Sequence, residues 1–250
     1  MSLKSFAENH PYIFSLLIAV IIIVVYVLAG AIIDVLGMPE VVLYLISNSL
    51  LAVMSAIVLW RMGWWRSIGF RKPQRLRTMW LFLVPLLPVL DNLRGGIAVI
   101  AVSDVAVFFT IALLVGFVEE SLFRGLMLRS LALCGVWRAA ILTSILFGLL
   151  HGLHILRGSN PQVVFVQMGY AAAIGFTYAA LVLRTGMIWP LMLIHFLTDF
   201  TGFIVLNRIM PNQNTGLGLI FGGAYILVFV GYGVLILART RHPRLLDIQG

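Results

Sequence analysis

Six ionisable residues of this chain stand in stretches that are otherwise apolar, and their spacing is that of shared helix faces. Glu119, Glu120 and Arg124 form one group, Phe147 and His151 a second, His195 and Asp199 a third. Residues four apart share a helix face. Glu120 and Arg124 can therefore form an internal ion pair, and Asp199 can accept a hydrogen bond from His195 and orient its ring. Glu119 is rotated from Glu120 by about 100° on a regular helix and need not share that arginine. The result is one neutralised carboxylate, one freer carboxylate and two imidazoles. Glu119 with His151 can hold and deprotonate a water, while His195 donates to a developing oxyanion. That is the chemistry of water attack on an amide carbonyl without a covalent intermediate. His10, His154 and His242 read as ordinary satisfied or interfacial histidines.

The elements that must position these groups are membrane helices. The 250 residues are 62% hydrophobic and 10% charged, with a mean hydropathy of +1.07. Soluble domains are typically about 45–50% apolar and about 25% charged. The composition excludes a soluble enzyme with an anchor, and no polar stretch is long enough for a separate soluble domain. The expected fold is all-α, a polytopic bundle of about eight transmembrane helices. Residues 1–250 form a single integral-membrane domain, with the motif core at about 105–205. A charged side chain at the bilayer centre costs roughly 2.5–3.5 kcal/mol on insertion scales, so such groups face the bundle interior and mark a pathway or a reaction site.

Apolar runs of about 20 residues cross a hydrocarbon core of roughly 30 Å. Spans are expected near 12–36, 41–60, 79–99, 105–131, 138–156, 162–183, 187–207 and 217–238. The third is interrupted by Pro85, Pro88, Asp91 and Arg94 and is the one expected to be kinked or short. The first is longer than a signal-peptide core and reads as an uncleaved span. With eight spans, Lys4, Arg61, Arg66, Arg71, Lys72, Arg75, Arg77, Arg129, Arg138, Arg184, Arg239, Arg241 and Arg244 fall on one side. Only Arg94, Arg157 and Arg208 fall on the other. The positive-inside bias then places both termini in the cytoplasm. The same bias accounts for the net charge of +8, so no nucleic-acid partner is implied. All six tryptophans, Trp60, Trp64, Trp65, Trp80, Trp137 and Trp189, fall at expected span ends, where amphipathic rings favour the headgroup level. Gly169, Ala172, Ala173 and Gly175 make the sixth span a close-packing helix. Cys134, the single cysteine, excludes an intramolecular disulfide and reads as a structural residue at a helix end.

The order E-E-x-x-x-R, F-x-x-x-H and H-x-x-x-D resembles the CPBP intramembrane proteases, the CAAX prenyl endopeptidase and bacteriocin-processing (Abi) family. The match is Glu119-Glu120-x3-Arg124, Phe147-x3-His151 and His195-x3-Asp199, over roughly residues 105–205. The resemblance implies an eight-helix, glutamate-dependent bacterial membrane endopeptidase. Glu119 would be the water-activating base and His151 its partner. Arg124 would stabilise the glutamate pair, and His195 with Asp199 would form the oxyanion site. Prenyl-protein endopeptidases resembling this family carry Asn where this chain has Asp199, so a prenylated tail is less strongly implied than a peptide. The expected activity is an endopeptidase cutting a peptide or lipidated peptide near the cytoplasmic face, with membrane lipids as surroundings and no cofactor required. Three other readings use the same residues: a zinc-dependent protease with Glu119, His151 and His195 as ligands, a non-catalytic immunity or scaffold protein, and a proton-coupled transporter.

Overall fold

The computed structural model of the chain describes residues 2–72, 76–94, 96–206 and 216–240; side chains of residues 76 and 216–221 are outside that description. Arg75, Arg208, Arg241, His242 and Arg244, assigned above from sequence, also lie outside the described residues. The described residues contain helices and no strand. The helices are α1 (Leu3–Asn9), α2 (Pro11–Leu36), α3 (Glu40–Met62), α4 (Leu87–Arg94), α5 (Val102–Glu119), α6 (Leu128–Ala132), α7 (Val136–Leu150), α8 (Leu153–Leu156), α9 (Pro161–Thr185), α10 (Trp189–Leu206) and α11 (Gly216–Ala238). A π-helical stretch, Glu120–Met127, joins α5 to α6 without a break.

Six helical runs are long and apolar enough to cross a membrane: Pro11–Leu36, Glu40–Met62, Val102–Ala132, Val136–Leu156, Pro161–Thr185 and Trp189–Leu206. They match six of the expected spans. Their outer faces carry Leu16, Leu28, Leu50, Val53 and Phe165, each more than half exposed, as suits contact with lipid. The expected span at 79–99 is not a regular helix. It consists of 3-10 turns at Leu76–Phe82 and Val84–Leu86 followed by the short α4. Pro85 and Pro88 explain this, since each removes a backbone donor and crowds the carbonyl one turn earlier. The segment still runs along the bundle. Tyr232 donates to the Leu81 carbonyl at 2.8 Å, Asn92 to the Thr198 carbonyl at 2.9 Å, and the Ala98 amide to the Ile204 carbonyl at 3.1 Å. The expected 217–238 span appears as α11, apolar over Gly222–Ala238.

Local signals set the helix ends. Asn160 caps α9 by accepting from the Gln162 amide at 2.9 Å, with Pro161 in the first turn. Gly63 closes α3 with φ 67°, which lets the Trp64 amide reach back to the Leu59 carbonyl at 2.9 Å. Glycines also set the helix spacing. A Cβ on Gly116 of α5 would lie 3.1 Å from the Met192 carbonyl oxygen of α10. One on Gly148 of α7 would lie 2.6 Å from the Met168 carbonyl oxygen of α9. The first approach seats α5 against α10, and the second seats α7 against α9.

One end of the bundle is tied shut by loop contacts. Arg71 Nε donates to the Gly186 carbonyl at 2.7 Å, Trp189 donates to the Arg71 carbonyl at 3.0 Å, and the Ile188 amide donates to the Gly69 carbonyl at 3.2 Å. Arg129 reaches the Ser67 carbonyl and stacks over Trp64, its guanidinium carbon 5.0 Å from the ring centre. Trp64 is 1% exposed. It is therefore a core residue under Arg129, whereas Trp60 and Trp80 are exposed as interfacial rings would be. Cys134 is a half-buried free thiol in the turn between α6 and α7.

Candidate active site

The three motifs meet in the bundle interior. Glu120, Ser121 and Arg124 lie in the π-helical stretch, whose wider turn is closed by the Leu128 amide donating to the Phe123 carbonyl five residues back. Such π segments recur at functional sites. The sequence gives no signal for it, because the expected geometry was that of a regular helix. All eight of its residues are buried.

Glu120 is the hub of the cluster. One of its carboxylate oxygens, Oε2, lies 3.4 Å from Arg124 Nε, and both side chains are almost wholly buried. The other, Oε1, lies 2.9 Å from His195 Nδ1. The expected Glu120–Arg124 pair is thus present, and His195 is held by Glu120 more closely than by Asp199. Asp199 Oδ2 and Glu119 Oε2 instead lie 3.6 Å and 3.5 Å from His195 Nε2. The closer partner comes from another helix because the α5–α10 contact at Gly116 places the ring beside the π segment. Three carboxylates therefore surround one imidazole.

The Arg124 guanidinium is enclosed by aromatic faces. Its carbon lies 4.1 Å from the Phe147 ring centre and 5.5 Å from that of Tyr178, close enough for cation–π attraction. Its two terminal nitrogens make no hydrogen bond. Space for them exists because α9 carries Gly175 at this level, where a Cβ would lie 2.9 Å from Arg124 Nη2. Gly175, read from sequence only as a packing residue, is part of the cluster's architecture. Tyr178, which packs against the His195 ring with centres 6.4 Å apart, had no sequence signal.

His151 sits at the end of α7, its Nδ1 2.9 Å from the Phe147 carbonyl oxygen. A carbonyl only accepts, so Nδ1 carries hydrogen and, in the neutral ring, Nε2 keeps a lone pair. Glu119, expected to share a water with His151, has its ion-pair contact with His195, and Glu119 and His151 border the same cavity. His154 Nδ1 lies 3.0 Å from Gln167 Oε1. His10 packs beside Phe6 at the α1–α2 junction.

Glu119, His151, His195 and Asp199 all line one cavity of about 480 Å³. Its walls are mostly apolar and include Ile22, Val27, Leu51, Val115 and Phe203, with Tyr26 and Asn48 among the polar lining. Tyr26 donates to Asn48 at 3.1 Å, tying α2 to α3 beside the cavity. Glu119 Oε2 and Glu120 Oε2 are buried without a hydrogen-bond partner. The lining runs from Leu122, Phe123 and His195, deep in the bundle, to the end that contains the α2–α3 turn, the end of α8 and the end of α10. At that rim, Arg157 holds Asp34 through two contacts of 2.7 and 3.0 Å and Glu40 at 3.2 Å. As a zinc site the set does not fit. Among the described residues no group of three His, Cys, Asp or Glu is arranged to hold a metal ion. His151 Nδ1 is committed to Phe147 and both His195 nitrogens face carboxylates.

A lipid-embedded helical bundle that buries carboxylates and imidazoles beneath an apolar cavity is suited to membrane-embedded peptide chemistry. Residues 101–201, which contain all six motif residues, match the family model described as Rce1-like, Type II CAAX prenyl endopeptidase Rce1-like. Over this segment the chain is similar to the CAAX protease family that its motifs resemble, a likeness that indicates a membrane peptidase. No curated protein and no solved structure matches the chain.

Proposed function

We propose that this chain is an intramembrane endopeptidase in which Glu119 activates water, assisted by His151 and His195. A water beside Glu119 loses a proton to its carboxylate as the oxygen attacks the peptide carbonyl carbon. The lone pair of His151 Nε2 helps to hold that water. His195, fixed through Nδ1 by Glu120, presents Nε2–H to the carbonyl oxygen as it becomes negative. The carbon–nitrogen bond then breaks. The leaving nitrogen takes the proton from Glu119, which returns to its carboxylate form. Arg124 does not reach the reacting atoms. It positions Glu120, which positions His195. Asp199 stands beside Nε2 and limits the ring's rotation.

The observation that carries this reading is Glu119 itself. Its Oε2 is buried, has no hydrogen-bond partner, borders the cavity and lies 3.5 Å from His195 Nε2, while the neighbouring glutamate is committed to Arg124. The family implies a peptide or prenylated peptide as substrate, and the apolar walls suit either. We place the protein in a bacterial cell membrane as one domain spanning 1–250, with both termini cytoplasmic.

The test is cleavage of membrane-proximal peptides by detergent-solubilised protein, with and without chelator. Glu119→Gln, isosteric and unable to accept the proton, is expected to lose about 10²–10⁴-fold in kcat, the range for a positioned general base. His151→Ala should also lose activity, and chelator should change nothing. Glu119→Gln with wild-type turnover would refute the assignment, and chelator-sensitive turnover would favour a metal enzyme.

A further inference from the structure

We propose that the cavity receives its peptide from the non-cytoplasmic side of the membrane, so that the substrate is a segment of an exported or membrane-anchored chain presented there. The facing rests on charge and packing; that the occupant is a cleaved peptide rests on the proposed function. On this proposal cleavage takes place away from the cytoplasmic face, unlike the expectation from sequence.

The described cations separate sharply between the two ends of the bundle. Lys4, Arg61, Arg66, Arg71, Lys72, Arg77, Arg129, Arg138, Arg184 and Arg239 lie at the end formed by the start of α2, the end of α3, the α6–α7 turn, the α9–α10 turn and the end of α11. Arg94 and Arg157 alone lie at the other. Arg157 is paired with Asp34 and Glu40, and Arg94 lies 3.8 Å from Asp91. Cations concentrate on the cytoplasmic side of membrane proteins, where each gains about 1 kcal/mol near anionic lipid. The cation-rich end therefore faces the cytoplasm.

The cavity belongs to the opposite end. Its lining runs from Leu122, Phe123 and Phe147 at depth to Asp34, Leu156, Arg157 and Leu206 at the rim. Leu156 is 69% and Leu206 44% exposed. Beneath the carboxylates the way is closed. Leu126, Met127, Val182, Leu183 and Ile188 are at most 1% exposed, and the Gly69–Ile188, Arg71–Gly186 and Trp189–Arg71 bonds seal the cytoplasmic end. Among the described residues, the route to Glu119 for a peptide, and for the water that cuts it, runs past the Asp34–Arg157 rim. The occupant this suits is an extended, largely apolar segment. Arg157, the arginine of the lining, is already committed to two carboxylates, so the mouth is poorly furnished to hold a free C-terminal carboxylate.

The experiment has two arms in a bacterial expression host. In a Cys134→Ser background, Leu156→Cys and, separately, Val35→Cys are expected to react with a membrane-impermeant maleimide on intact cells, and Lys72→Cys only after detergent. Two rim variants guard against one that fails to fold. Labelling of Lys72→Cys but neither rim cysteine on intact cells would overturn the proposal. In the second arm, a quenched fluorescent peptide cleaved by the solubilised wild type is added to spheroplasts and to inverted vesicles. Cleavage by spheroplasts, and its loss in inverted vesicles until detergent is added, is expected; the reverse overturns the proposal. If the solubilised protein cleaves no peptide, the protease reading fails, and the labelling arm still decides which way the cavity faces.

Discussion

Gly175→Ala is the sharpest test of how the cluster is assembled, because the added methyl group touches no proposed reacting atom. The new Cβ would sit 2.9 Å from Arg124 Nη2, which must then shift, and in a tight contact of 3.1 Å with Phe147 Cδ1. The guanidinium has little room to retreat, since Phe147 lies against it at 4.1 Å and its side chain is only 2% exposed. Displacement passes through the 3.4 Å contact to Glu120 and then through the 2.9 Å contact to His195. Overpacking a buried site costs about 1–3 kcal/mol. A misplacement of about 1 Å in a catalytic array costs on the order of 10²-fold in rate, equivalent to about 2.7 kcal/mol of barrier. The assay is kcat/KM together with a thermal melt in detergent. Activity is expected to fall about a hundredfold, well beyond any loss of folded protein. Arg124→Lys on the Gly175→Ala background removes the crowded Nη2, so the double variant should melt higher than the summed singles, with a coupling of about 0.5–3 kcal/mol. Gly175→Ala with wild-type kcat/KM and an unchanged melt would refute this chain of contacts.

Glu120→Ala leaves the Arg124 charge buried and unpaired; a loss of about 3–5 kcal/mol is expected, read by thermal melting, and a melt equal to wild type would mean that Arg124 is compensated elsewhere. Gly148→Ala drives a Cβ to 2.6 Å from a backbone oxygen of α9, which cannot rotate away, and should destabilise by about 1–3 kcal/mol. Gly223→Ala, with nothing within 4 Å of its Cβ, is the control and should melt like wild type. Arg157→Gln releases the cavity rim from Asp34 and Glu40; because that rim is partly exposed, its effect on melting should be small and should fade as added salt screens the pairs.

The sequence by itself determined the class and the chemical parts. Composition and the lengths of the apolar runs specify a lipid-embedded helical bundle, because a chain this apolar must satisfy its backbone hydrogen bonds internally. Prolines 85 and 88 flagged the segment that does not form a regular helix. The i to i+4 spacing of Glu120 and Arg124 predicted their ion pair, since that contact is local to one helix. Tertiary structure decided what depends on how separate helices meet. It gave His195 a closer partner in Glu120 than in Asp199, and it directed the contacts of Glu119 to His195 while His151 turned to its own backbone. It made Gly175 the space for a guanidinium, and it inserted a π-helical turn where periodicity implied a regular one. It also placed the cavity at the cation-poor end. Spacing along a chain fixes which side chains share a helix face, but the rotation and depth of one helix against another are set by close packing among residues far apart in sequence.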